Sequence, residues 1–275
     1  MGTCGCHFNS YGIYMGINGY SKYGFKINTS GTISTTYFSS GKAVEYMYSN
    51  GTGCGAGPLG TKYALFPGGA IEDNCSNYLD YMNTSGTWSY TTLSLRIDEA
   101  AVADNGTLAV IAGGWNSSGQ QITTVNTFNT SGTRGTATAL STAVCCAAGA
   151  RAGKLAIVAG GDNASNDKVV SAYSYNTSGT RTILSNMRSG RAWHSGASGN
   201  GQYAIFMGNV NGSDDSASYY GDCYDSSGVK IDIGNLGYCV DIGSLAYVDN
   251  KVYCADFNDI HYDKFYLSTH IFNII

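Results

Sequence analysis

Apolar residues in this chain come in short bursts, mostly four to eight residues long, separated by clusters of Gly, Asn, Ser and Asp. Bursts of that length, rich in β-branched and aromatic types and bounded by turn formers, predict strands. The stretch 191–235 shows the arrangement. It reads as four strands over 191–198, 202–207, 217–224 and 229–233.

The unit recurs. Asn28-Thr-Ser-Gly-Thr32 returns at Asn83, Asn129 and Asn176, and as the variant Asp225-Ser-Ser-Gly-Val229, at offsets of 55, 46, 47 and 49 residues. A second phrase keeps step with it: Ala64-Leu-Phe-Pro-Gly-Gly69, Ala109-Val-Ile-Ala-Gly-Gly114, Ala156-Ile-Val-Ala-Gly-Gly161 and Ala204-Ile-Phe-Met-Gly-Asn209. Two independent markers at one spacing define a repeat with a period near 47. In the first phrase Asn or Asp opens a tight turn, and the following Gly takes the positive φ that a hairpin between the third and fourth strands requires. Four-stranded units of this length stack as blades around an axis, which leaves few exposed sheet edges. The expected fold is therefore all-β: a single six-bladed propeller over 1–275, four antiparallel strands per blade, with blades at about 4–40, 42–95, 96–142, 143–187, 188–235 and 236–275. In the last blade the second, third and fourth strands are expected at 251–256, 262–267 and 270–274.

Composition agrees and narrows the function. Charged residues are 12% of the chain, Gly numbers 38, Tyr 22 and Pro only 2, which excludes Pro-rich disorder. At 43% hydrophobic the chain can bury a core, yet no run is long enough for a transmembrane helix. A net charge of −4 argues against a protein that neutralises a nucleic-acid backbone. The opening residues Met1 to His7 have neither a basic nor an apolar leader region, so no secretory signal is expected. Nine cysteines without a CxxC pair read as small buried thiols rather than a disulfide framework.

The stretch 153–194 resembles a kelch repeat. Gly160-Gly161 stands at the di-glycine that ends the second strand, Tyr175 at the Tyr that closes the third, and Arg191 and His194 at the Arg and His near the next first strand. Trp88 holds the fourth-strand Trp position of an earlier blade, whereas Arg134 and Arg181 replace it in the next two. The resemblance covers about residues 11–258 and implies the kelch propeller. The Asn-Thr-Ser-Gly-Thr-Arg wording is also similar to kelch-like arrays in tail-associated and other structural proteins of phages and prophages. That likeness implies a virion protein, assembled in the host cytoplasm.

Propeller topology puts the loops between second and third strands on one face and the Asn-Thr-Ser-Gly hairpins on the other. The former, about 17–21, 70–76, 115–121, 162–168, 209–216 and 256–261, hold eight of the 19 acidic residues. Even spreading would give about three. Asp73, Asp162, Asp167, Asp214, Asp215 and Asp259 thus mark a candidate recognition face, joined by Trp115 and Trp193, whose rings can stack on sugars or anchor a partner. The blander alternatives are that Asp simply favours turns and that the Trp rings pack between blades; Trp88 is assigned to such packing. No single loop supplies a Ca²⁺ ligand set. Cys54, Glu99, Cys146, His194 and Gly243 align at equivalent positions ten residues before the second-strand Ala or its counterpart, where they would face one level of the central channel. They include Zn²⁺ ligand types, but they come from different blades, and Ala147, Ala148 and Gly149 point to a plain demand for small residues there. No metal and no cofactor is expected. Gly55-Ala-Gly-Pro-Leu-Gly60 matches GxGxxG but leads into a strand, so it marks no dinucleotide site.

The function expected is a non-enzymatic virion module whose partners are other virion structural proteins or a host cell-surface glycan, without nucleic acid or membrane insertion. The alternatives are a cytoplasmic kelch adaptor and a propeller enzyme acting on sugars.

Overall fold

A computed structural model describes residues 4–8, 11–15, 23–28, 30–37, 57–71, 74–192, 195–199, 201–207, 218–240, 244–248, 251–256 and 268–273. Among these residues every regular element is a strand, every pairing is antiparallel, and the strands form separate small sheets in chain order. The first holds β1 (Cys4–Phe8), β2 (Tyr11–Met15), β3 (Tyr23–Asn28) and β4 (Ile33–Tyr37) as a meander. The second has β5 (Gly57–Leu59), β6 (Tyr63–Pro67), a two-residue β7 (Ala70–Ile71), β8 (Asn74–Asn83) and β9 (Trp88–Ile97). The third is the meander β10 (Ala101–Asp104), β11 (Leu108–Ala112), β12 (Val125–Asn129) and β13 (Arg134–Thr136). The fourth is β14 (Ala148–Ala152), β15 (Leu155–Ala159), β16 (Ala172–Tyr175) and β17 (Arg181–Ile183). The fifth is β18 (Ser195–Gly199), β19 (Tyr203–Met207), β20 (Ser218–Asp225) and β21 (Lys230–Val240). The last comprises β22 (Ser244–Val248), β23 (Lys251–Asp256) and β24 (Ser268–Asn273).

The second strands explain the core. β6, β11, β15 and β19 are buried along nearly their whole length, without the alternation of a half-exposed strand. Successive side chains point to opposite faces, so continuous burial means that both faces are covered. In β15, Ala156 and Val158 pack toward the third sheet, whereas Ile157 and Ala159 pack toward the fifth. In β11, Ala109 and Ile111 face the second sheet, and Val110 and Ala112 face the fourth. Each cluster therefore straddles two sheets that stack face to face.

First strands lie side by side: β5 against β1 and β10, β14 against β10 and β18, and β18 against β22. Small residues allow this approach. A Cβ on Gly149 of β14 would stand 2.0 Å from the Val102 carbonyl oxygen of β10. Fourth strands lie outermost and are mostly exposed, as in β13 and β17.

The turn phrase works as a local device. Asn129 Oδ1 accepts from the Ser131 and Thr133 amides at 3.0 and 2.9 Å and from the Ser131 hydroxyl at 2.7 Å. Asn28, Asn83, Asn176 and Asp225 do the same in their hairpins. The Gly three places on has φ near +80° throughout, for example 83° at Gly132. Tyr175 ends β16 as expected, buried, its hydroxyl donating to the Thr138 carbonyl at 3.0 Å. Trp88 is buried against Phe66.

Three strand assignments need correction. Residues 268–273 pair directly with β23 and so stand third in the last sheet, where the sequence suggested the fourth place; the six-pair register from Lys251↔Asn273 to Asp256↔Ser268 fixes this. Residues 262–267 lie outside the described residues. The 191–198 strand starts only at Ser195. Arg191 is instead fully buried, its guanidinium paired with Asp222 and donating to the Tyr220 carbonyl at 2.7 Å. Finally, β21 continues to Val240, past the expected boundary at 235, because its ladder with β20 absorbs register shifts and goes on to Ser218↔Val240.

Candidate functional site

The loops after β6, β11 and β15 begin with a di-glycine. At Gly113 and Gly114 φ is 70° and 103°, and the pair turns the chain across the sheet end. A Cβ on Gly114 would meet the Asp98 carbonyl oxygen at 2.3 Å, so the close backbone approach excludes any side chain. The Gly114 amide donates to the Val144 carbonyl, and the Gly161 amide to the Arg191 carbonyl, both at 2.8 Å. Each di-glycine thereby ties its sheet to the segment entering the next.

The following residue is anchored by the same backbone pairing in successive repeats. Trp115 exchanges amide–carbonyl bonds with Asp98 at 2.8 and 2.9 Å; Asp162, one repeat later, does so with Cys145 at 2.9 and 3.0 Å. The loops then close with an Asn turn. Asn116 Oδ1 accepts from the Ser118 and Gln120 amides, and Asn163 Oδ1 from the Ser165 and Asp167 amides. The 70–76 loop is shorter than expected, since β7 pairs with the start of β8.

The predicted site residues separate. Asp162 is only 5% exposed and pairs with Lys168 at 2.9 Å, so it belongs to the scaffold and not to an acidic surface. Asp167 is exposed in the Asn163 turn. Trp115 is partly buried, packs against Cys145, Cys146 and Ala192, and donates from Nε1 to Glu99 Oε2 at 2.9 Å. Asp73, Trp193, Asp214, Asp215 and Asp259 lie outside the described residues, as do Cys54 and His194.

What the sequence kept apart, the structure joins. Glu99 and Cys146 occupy the same place in successive repeats, and both have left-handed backbone, φ 51° and 55°. The Cys146 amide donates to the Glu99 carbonyl at 3.0 Å, and the Cys146 thiol to Glu99 Oε2 at 2.7 Å. Cys145 Sγ is 3.2 Å from Cys146 Sγ. Both cysteines are buried and free. Burial, with Cys145 and Glu99 adjoining, pushes the Cys146 thiol far up, so it is a proton donor in this setting. The alignment of first-strand positions contained this signal. Reading the positions as separated by the axis concealed it.

Elsewhere charge is used to join sheets. Asp104 Oδ2 accepts from the Gly60 amide of the preceding sheet at 2.9 Å and pairs with Arg151 of the following one at 3.3 Å. Burial raises its carboxyl above the ordinary range. No helix among the described residues is long and apolar enough to cross a membrane. Compared with family models and with curated proteins, the chain matches none.

Proposed function

We propose that the chain is a non-enzymatic recognition module, a six-bladed kelch-like propeller carried on a virion, that binds a host-surface glycan through the face bearing the di-glycine loops. One observation carries the reading. Trp115 is only partly buried while its position is fixed by two backbone bonds, its Nε1–H···Oε2 bond to Glu99 and packing on Cys145, Cys146 and Ala192. A ring immobilised before binding loses little entropy on stacking against a sugar. The face-to-face stacking of successive sheets and their adjacent first strands support the ring closure. The phage-like wording of the repeats supports the virion setting.

A single shallow site of this kind binds weakly, with a Kd of order mM, about 4 kcal/mol. Many copies on one particle raise avidity by roughly 10²–10⁴ without new contacts. The test is glycan-array binding of multivalently displayed chain, wild type against Trp115→Ala, with Thr130→Ala on the hairpin face as control. Binding lost only in Trp115→Ala supports the proposal. Binding lost only in the hairpin variant assigns the wrong face, and binding of neither wild type nor variants to any glycan overturns the ligand class. Electron micrographs of particles from cells expressing the chain decide the virion setting.

A further inference from the structure

We propose that Glu99, Cys145 and Cys146 form a binding site for one borderline-soft divalent cation of the Zn²⁺ type, clasping the third sheet to the fourth. The donor atoms, one carboxylate oxygen and two sulfurs, all lie within 4.8 Å of one another. A tetrahedral Zn²⁺, with bonds of about 2.0–2.3 Å, holds its donors about 3.5–3.8 Å apart, so small side-chain rotations suffice. The donor set is the kind Zn²⁺ takes, and three protein donors leave a fourth position for water or an external ligand.

The backbone gives a second, independent reason. In extended chain two consecutive side chains point to opposite faces. Cys145 and Cys146 escape this because Cys146 has φ 55°, a left-handed conformation that is uncommon for a residue other than Gly, Asn or Asp. The kink brings both sulfurs to one side, 3.2 Å apart. Glu99, with φ 51° at the same place of the preceding repeat, turns its carboxylate to meet them. Trp115 then takes the role that a partner of a metal ligand has: its Nε1–H fixes the carboxylate bearing Oε2. On binding, each coordinating thiol passes its proton to solvent and no electron is transferred. This inference does not rest on the recognition reading.

The probe is Co²⁺ added to the reduced full chain, with Zn²⁺ as competitor. Expected are intense visible bands of tetrahedral Co²⁺ and sulfur-to-cobalt charge transfer, saturating at one ion per chain and bleached by Zn²⁺. Cys145→Ser and Cys146→Ser should each weaken the charge transfer and the double variant should abolish it, while Cys223→Ser, removing a buried free thiol elsewhere, should leave it. Trp115→Phe should weaken binding about 10–100-fold. Should the serine variants fail to fold, alkylation of the wild-type chain decides instead: Zn²⁺ must slow modification of Cys145 and Cys146 but not of Cys223. The absence of cobalt–thiolate absorption, its persistence in the double serine variant, or equal alkylation with and without Zn²⁺ overturns the site.

Discussion

The two ends of the sheets solve the same problem in opposite ways. At the hairpin end a side chain makes the turn: Asn129 Oδ1 takes three donors from its own loop. The turn needs a side-chain oxygen at that position, so the wording repeats at Asn28, Asn83, Asn129 and Asn176, with Asp at 225. At the other end the backbone makes the crossing. Trp115 and Asp162 sit in the same pair of amide–carbonyl bonds although one is an indole and the other a carboxylate. A position held by its main chain leaves its side chain open to other uses. In one repeat that use is a fixed, partly buried ring; in the next it is a buried ion pair. Difference between repeats therefore points to function only at the loop end, and even there only after burial is known.

Substitutions can break this comparison. The largest effect is expected at Lys168→Ala, which leaves the Asp162 carboxylate buried without its cation and should cost about 3–5 kcal/mol. Urea unfolding reads it, and a cost below about 1 kcal/mol would return Asp162 to the candidate surface. Next is Gly114→Ala, where the added Cβ meets a carbonyl oxygen at 2.3 Å, with an expected loss of about 3 kcal/mol. Gly119→Ala, also at positive φ (67° against 103° at Gly114), has nothing within 4 Å and should cost only about 1 kcal/mol. Equal losses would show that conformation rather than close approach governs the loop end.

At the hairpin end Asn129→Ala should cost about 1 kcal/mol, since its partners return to water. Trp115→Ala should cost about 2 kcal/mol, because it also loses packing on Cys145, Cys146 and Ala192 and the bond to Glu99, while removing binding. The smallest effect separates one hairpin from the other four. Asp225 replaces Asn, and the Ser227 hydroxyl, with the Ser227, Gly228 and Val229 amides, holds its carboxyl below the ordinary range. A folded-state pKa below the unfolded one means that the charged form stabilises the turn. That contribution is present above the unfolded value and is lost as pH falls through the folded one. Asp104 has the opposite sign: its raised carboxyl favours the fold more as pH falls through its folded value. Amide shifts of Ser227 and Val229 followed by NMR should move in the acid range in wild type and stay still in Asp225→Asn.

Much of this was legible in the chain. The hairpins could be read because all their bonds close within five residues, from Asn28 to Thr32 for instance. The second strands could be read because a buried apolar run such as Leu-Ala-Ile-Val-Ala has one meaning at that length. The same tools misplaced β24 and missed the end of β21, where pairing depends on which strand edge is free and on bulges that leave no mark in composition. Among site residues, Trp115 was recognisable from its place after the di-glycine, but Asp162, with the same address, was not distinguishable as buried.

By itself the sequence determined the period, the turns and the strands, because each rests on forces between residues a few positions apart. Only the tertiary structure decided which charges meet. Glu99 with Cys146, Asp104 with Arg151 and Arg191 with Asp222 are 47, 47 and 31 residues apart, and each pair forms where two chain segments are brought together by packing. Their contact depends on the distance and twist between stacked strands, a property of the packed apolar faces as a whole, and no local pattern at either residue encodes it.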